Sequence, residues 1–371
     1  MVRGQLEAIF LMIISFYDAG LNGLQDNASL VVDDSSYKLI KRGVELDSMS
    51  CRCEAFTEDI QPTYCVVKDD RGRYVYGCLA GVPQLNDDNQ TEVQGSDLKV
   101  MLDCDVVMDL SKSHSRLSDY FQTVFAVWLD TTRQRNVELN LTFELSEANI
   151  SFADAENTLQ PVVAEGQARY NVWNELLAPY LKFYGLYMTS SLDLVNKKVV
   201  FTIGEAMLNP RAVRLWEYGI KNYGKVTGGI SETQCVVYDK TSNVTEYGYL
   251  WVLNADNTVT AFRGGANYTP TVFPVRRKII WKETDNFAEE KTKLLNEGNM
   301  EALEELAGHM FNENIEISNI EADFSTRFDI YVSRGGSKYK SLPCGELHYD
   351  VNGHTKVQIG YRITGIEFLL R

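Results

Sequence analysis

The sequence predicts an α+β protein that is predominantly β. Three observations predict this. Short apolar segments recur between clusters of Asp, Asn and Gly over residues 28–107, at the 8–12-residue spacing of an antiparallel barrel or sandwich. The apolar period lengthens to that of a helix in only three stretches, 113–129, 165–184 and 286–311. The chain also carries 20 Tyr, 16 Phe and 5 Trp in 371 residues but only 8 Pro, and aromatic residues favour strands and interfaces.

In the first block the strands are expected at 28–32, 37–40, 43–47, 62–67, 73–81 and 98–108, separated by "DDSS", "KDDRG" and "NDDNQ" turns. Ahead of them, Ala8 to Tyr17 is the most apolar run. It is far shorter than the roughly 20 residues that span a bilayer. Arg3 precedes it, but Glu7 and the lack of an A-x-A-like cleavage site disfavour a signal peptide, so it reads as a buried first strand or helix. From Ser113 to Leu129 the spacing of Leu117, Phe121, Val124, Phe125 and Trp128 predicts a helix, with Ser113 or Ser115 as its cap. Period-two alternation predicts a strand over 136–145, with Val137, Leu139, Leu141 and Phe143 on one face. A second helix is predicted over 165–184, closed by Gly185 and followed by the strands "LYMTSSL" and "KKVVFTI". Strands return over 224–262. Residues 286–311 read as a helical hairpin whose stripe is Leu294, Leu295, Leu303, Leu306 and Met310. Gly298 interrupts that hairpin as a C-cap, and Glu289 and Lys293 form an i,i+4 pair. The last 60 residues are strand-like, with His348 and His354 flanking a hairpin turn.

Length alone suggests two or three domains at roughly 150 residues each. The order of elements sharpens that to four units: 1–108, 109–204, a discontinuous β unit of 205–245 and 312–371, and an insertion of 246–311 carrying the helical hairpin.

The charge excludes some functions. Lys and Arg number 36 against 51 Asp and Glu, a net −15, which opposes sequence-specific nucleic-acid binding and attraction to anionic membranes. No P-loop, dinucleotide fingerprint, GxSxG or HExxH occurs, so no catalytic, cofactor-binding or metal-binding residue is nominated. The seven cysteines, Cys51, Cys53, Cys65, Cys78, Cys104, Cys235 and Cys344, read as free, mostly buried thiols. Asp103 and Asp105 are expected on one strand face, without the continuation of a calcium loop. The basic run "VRRKIIWK" with Trp281 has the chemistry of a stacking site for nucleic acid or sugar, but in an acidic chain it reads as a strand at a subunit contact.

The β-rich start with "RYVYGCLAGV", the helix-then-strands segment of 171–203, the helical segment "KTKLLNEGNMEALEELAGHMF" and the end "CGELHYDVNGHTKVQIGYRITGIEF" together resemble phage baseplate hub proteins, the tail-associated proteins of siphophages. The resemblance lies in element order over nearly the whole chain. It implies two antiparallel, tube-like β-barrel domains interleaved with small α+β domains. It also implies a homotrimer at the tail tip that binds the distal tail protein and other baseplate proteins. DNA passes through its channel without specific binding, and contact with the host surface is compatible with the role. The family supplies no catalytic residues and no cofactor. Receptor or carbohydrate binding, and less so cell-wall hydrolysis, are the alternative readings.

Overall fold

A computed structural model describes residues 12–24, 30–33, 35–54, 61–69, 71–88, 90–109, 116–135, 141–148, 150, 167–206, 209–220, 230–253, 259–265, 268–269, 275–311, 315–318, 320–336, 338–351 and 353–360. Residues 8–11, both candidate caps Ser113 and Ser115, the strand start 136–140 and the end 361–371 lie outside them.

The chain opens with β1 (Ile13–Tyr17), β2 (Leu30–Val31), β3 (Lys38–Arg42), β4 (Ser48–Glu54), β5 (Tyr64–Lys68), β6 (Tyr74–Ala80), β7 (Gln84–Leu85) and β8 (Gln90–Ser96). They lie in the order β3-β4-β8-β6-β5-β1-β2, with β7 against β8, and every pairing is antiparallel. Period-two patterning decides the faces. In β4, Met49, Cys51 and Cys53 point inward while Ser48, Ser50 and Glu54 face out. Ile14, Phe16, Leu39, Cys65, Val67, Cys78 and Val93 fill the same interior. A single bridge, Val32 to Cys53, returns β2 to β4. No closed barrel is found among the described residues.

A short 3₁₀ turn (Leu98–Leu102) leads to β9 (Asp105–Asp109), α1 (Leu117–Arg135), β10 (Thr142–Ala148) and β11 (Gln167–Asn171). A π-helical turn (Val172–Leu177) then continues into α2 (Ala178–Tyr184), which ends at Gly185 in the left-handed conformation, φ 65°. The hairpin β12 (Leu186–Asp193) and β13 (Lys198–Glu205) follows, and β10 joins it in parallel as a three-stranded sheet. Trp128 of α1 packs edge-on against Phe143 and Phe201 of that sheet. The start of the predicted 165–184 helix is a strand instead. β11 finds an antiparallel partner in β9, and tertiary pairing overrides the local pattern. Asn171 then caps the helical turn, accepting the Asn174 N–H at 2.8 Å.

β14 (Asn209–Arg214) is followed by β15 (Ile230–Asp239), β16 (Val244–Leu253), β17 (Val259–Arg263), β18 (Val275–Thr284) and α3 (Phe287–Phe311). The four strands after β14 form a sheet in the order β17-β16-β15-β18, whose β15–β16 hairpin crosses the 245/246 boundary expected from sequence. α3 is one uninterrupted helix of 25 residues, not the expected hairpin. Gly298 is not a C-cap. It lies where the helix meets β15, and a Cβ there would sit 2.0 Å from the Cys235 Sγ. The glycine therefore serves close helix–sheet packing. Lys293 pairs forward with Glu297 at 3.7 Å rather than back with Glu289.

The end of the chain supplies β19 (Ile315–Ser318), β20 (Thr326–Tyr331), β21 (Lys340–Asp350) and β22 (Gly353–Ile359). β14 runs parallel to β20, while β20–β21, β21–β22 and β19–β22 are antiparallel. The expected hairpin with His348 and His354 is the β21–β22 pair. β21 also pairs with β3, through Glu346 opposite Arg42 and Leu347 opposite Lys41. The first and last strands of the chain thus belong to one 13-stranded sheet.

Lys99 lies where this sheet meets the β12–β13 hairpin, and its side chain is fully buried. Its ammonium donates to the carbonyls of Arg42 (2.9 Å), Glu45 (2.7 Å) and Met188 (3.2 Å). It also pairs with Asp97 at 3.1 Å and Asp47 at 3.5 Å. Asp97 accepts the Asp47 N–H and the Ser190 hydroxyl, each at 2.8 Å. Two carboxyls share one cation, so burial, with the Asp97 charge adding and Lys99 opposing, pushes Asp47 up to about 6.

Three outcomes follow from this packing. Gly298→Ala lowers stability by about 1–3 kcal/mol in urea unfolding through overpacking, although Ala is the better helix former. Lys99→Met leaves two buried carboxyls without their cation and costs about 3–5 kcal/mol in the same assay. The folded Asp47 holds its proton above the pKa of its unfolded form, so its contribution is complete below about pH 4 and is lost as pH rises through about 6. The stability of the wild type relative to Asp47→Asn therefore falls between pH 4 and 7, and a flat difference overturns the assignment.

Candidate functional site

The structure consumes most of the groups with conspicuous chemistry. Three of the four cations in the basic run pair with acids of β15 and α3. Arg277 pairs with Glu232 at 2.7 Å, Lys278 with Glu305 at 2.5 Å, and Lys282 with Glu301. Trp281 is half-exposed but stacks on Tyr238, centroids 5.5 Å apart, and donates to Glu283. Asp103 lies beyond the 3₁₀ turn, off the strand that carries Asp105, contrary to the expected shared face. It accepts from Asn171 (2.8 Å) and Asn174 (2.9 Å), while Asp105 binds Arg169. Among the described residues no group of three or more His, Cys, Asp or Glu is placed to hold a metal ion.

All seven cysteines are free, and all but Cys104 are fully buried. Cys65 and Cys78 face each other across β5 and β6 with sulfurs 3.3 Å apart. Burial pushes Cys53 up to about 12 and Cys235 up to about 11, so both stay protonated and inert at neutral pH. His348 contacts Glu346 at 3.1 Å, and burial lowers His354. His114 lies outside the described residues, and His309 falls in α3.

A cavity of about 170 Å³ lies between the π-helical turn with α2 on one side and α3 on the other. Tyr120 of α1, Tyr170 of β11 and Tyr180 of α2 supply its aromatic walls, and Asn296, Glu297 and Glu301 supply its α3 side. Glu175 and Glu304 add two further carboxylates, and the lining contains no Lys, Arg or His. The rings of Tyr120 and Tyr180 meet edge to face at 4.9 Å. The Tyr120 hydroxyl is used, donating to the Leu176 carbonyl at 2.9 Å.

Two other polar atoms on the cavity have no use within the chain. Tyr170 and Asn296 are only 2% and 4% exposed, yet the Tyr170 hydroxyl and the Asn296 Oδ1 have no hydrogen-bond partner. The Asn296 amide lies near enough to offset part of the burial penalty on the Tyr170 hydroxyl, but no bond of ordinary geometry closes between them. Burial also pushes the Glu297 carboxyl up, with Lys293 and Lys282 opposing and Glu175 and Glu301 adding. The cavity is therefore acceptor-rich and aromatic.

Tyr170 lies in the stretch whose spacing predicts a helix over 165–184, and no motif marks Asn296. The available signal was polar: Asn296 and Asn299 interrupt the buried side of α3. Asn299 is explained, since its Oδ1 accepts the Trp251 indole N–H at 3.3 Å. Asn296 is not.

No protein-family model and no curated protein matches the chain. Solved structures that are similar to it include the prophage tail protein gp18 from Listeria monocytogenes EGD-e, with a TM-score of 0.48, 11% identity and 97% of both chains covered. The tail protein from Neisseria meningitidis MC58 is similar at a TM-score of 0.44 and 11% identity, over 94% of this chain and 96% of that one. The E. coli c3393 protein, a type VI secretion component, is similar at a TM-score of 0.43 and 8% identity, over 92% of this chain and 78% of that one.

Proposed function

We propose that this chain is a structural component of a phage tail, the hub at the tail tip, without catalytic turnover. The observation that carries the reading is the β3–β21 pairing. It sets an N-terminal and a C-terminal group of strands side by side in one 13-stranded sheet, while β12 of the three-stranded sheet contacts β6 and α3 packs on α2. A subunit with two adjacent β blocks supplies six positions from three copies, which is what adapting a sixfold tube to a threefold tip requires. The two groups are read as the two tube-like domains that the element order resembles. The net charge of −15 suits a wall past which DNA must slide without adhering. The partners on this reading are two further copies, the distal tail protein and neighbouring baseplate proteins, in the virion after assembly in the host cytoplasm.

Light scattering on the purified chain, alone and mixed with the distal tail protein, tests the assembly. A mass three times that of the chain in either sample is expected, and monomer in both overturns the hub. Zymography on host cell wall is expected to stay blank, and a cleared zone overturns the non-catalytic reading.

A further inference from the structure

We propose that Cys65 and Cys78 are a redox-sensitive pair that closes to a disulfide when the folded protein meets a peroxide, stapling β5 to β6. The argument stands on the two thiols themselves and does not depend on the tail-hub reading.

The two residues are register partners, directly opposite each other in the antiparallel β5–β6 ladder. Both are fully buried in the interior that also holds Ile14 and Phe16, and their sulfurs are 3.3 Å apart. Opposed Cα atoms in such a ladder lie about 4.5–5.5 Å apart, within the about 4.4–6.8 Å that a disulfide spans. Closing the sulfurs to about 2.05 Å therefore asks for side-chain rotation and a slight approach of the strands, not a rearrangement. Gly95 of β8 leaves the space beside the pair, since a Cβ there would collide with the Cys78 Sγ. The register also separates this pair from its nearest competitors. Cys51 and Cys53 fill the same interior, but they lie opposite Val93 and Thr91 of β8, so no thiol faces them across that ladder.

The step balances as two thiols and one hydrogen peroxide giving one disulfide and two molecules of water. One sulfur, giving up its proton, attacks a peroxide oxygen and the O–O bond breaks. The departing hydroxide takes up that proton and leaves as water. The second thiol then attacks the sulfur of the resulting sulfenic acid, and the displaced hydroxyl leaves with the second proton as water. The two cysteines lose two electrons and the peroxide gains them. Hydrogen peroxide is small enough to reach a buried pair through local opening of the hairpin. A register irregularity between Val67 and Lys68 interrupts the same ladder close to Cys65. A reducing compartment keeps the pair as thiols. Once formed, the bond is shielded by the same burial that slows its formation, so the device is a lock more than a reversible signal.

The test treats the whole reduced chain with a modest excess of hydrogen peroxide at neutral pH and then alkylates the remaining thiols. The unreduced digest is mapped by mass spectrometry, and the melting temperature is read before and after treatment. A Cys65–Cys78 crosslink is expected, with the other cysteines alkylated and the melting temperature raised by several degrees over the sample kept reduced. Cys65→Ala and Cys78→Ala are each expected to lose both the crosslink and the rise, and Cys51→Val is expected to keep both. The map of the wild type decides the pairing by itself, even where a core substitution unfolds the chain. Thiols that stay reduced, oxygen added to single cysteines without a crosslink, or a crosslink of either residue to Cys51 or Cys53 overturns the proposal. A Cys65–Cys78 crosslink that leaves the melting temperature unchanged overturns its role as a staple.

Discussion

One ammonium group holds the centre of this fold together. Lys99 reaches carbonyls from the β3–β4 connection and from β12, and two carboxyls besides. Its contacts bind the large sheet to the β12–β13 hairpin, and the Trp173 ring lies 5.8 Å away, tying in the π-helical turn. Taking a charge out of water is costly, and only a nearly complete set of partners offsets it. The arrangement therefore tolerates one geometry. A small displacement of the 42–47 turn, the 97–99 segment or Met188 would strand a buried charge, and hydrophobic contacts alone impose no such penalty.

That centre was not legible in the sequence, because "GSDLKV" gives no sign that its lysine faces inward. The elements were more legible than the way they join. The β12–β13 hairpin, the Gly185 stop and the His348–His354 hairpin followed from local alternation and turn chemistry. The helical hairpin failed at Gly298, whose meaning came from Cys235, a residue on a different element. The strand at 167–171 failed likewise, because its partner lies at 105–109. Local patterns specify elements, but the contacts that give a glycine or a lysine its role are distant in the chain.

The charge distribution takes on a different character once partners are assigned. The sequence suggested a basic strip with an accessible tryptophan at 275–282. In the fold, Arg277, Lys278 and Lys282 are spent on Glu232, Glu305 and Glu301. These half-exposed pairs contribute little stability each, yet they offset most of the positive charge of the 275–282 segment. The net charge stays at −15, and Glu175, Glu297, Glu301 and Glu304 around the inter-helix cavity carry part of that excess acid.

The β3–β21 pairing also dictates an order of events in time. Arg42 and Glu346, which meet across it, are 304 residues apart in the chain. A strand made early must wait through nearly the whole of synthesis for its neighbour. At about 5–20 residues per second, that wait lasts tens of seconds. During it, β3 has β4 on one side and an open hydrogen-bonding edge on the other, which is the exposure that invites strand addition by other chains. Lys38, Lys41 and Arg42 place three positive charges along that five-residue strand. Charged edges resist such pairing, so the composition of β3 guards the nascent chain until its own last strands arrive.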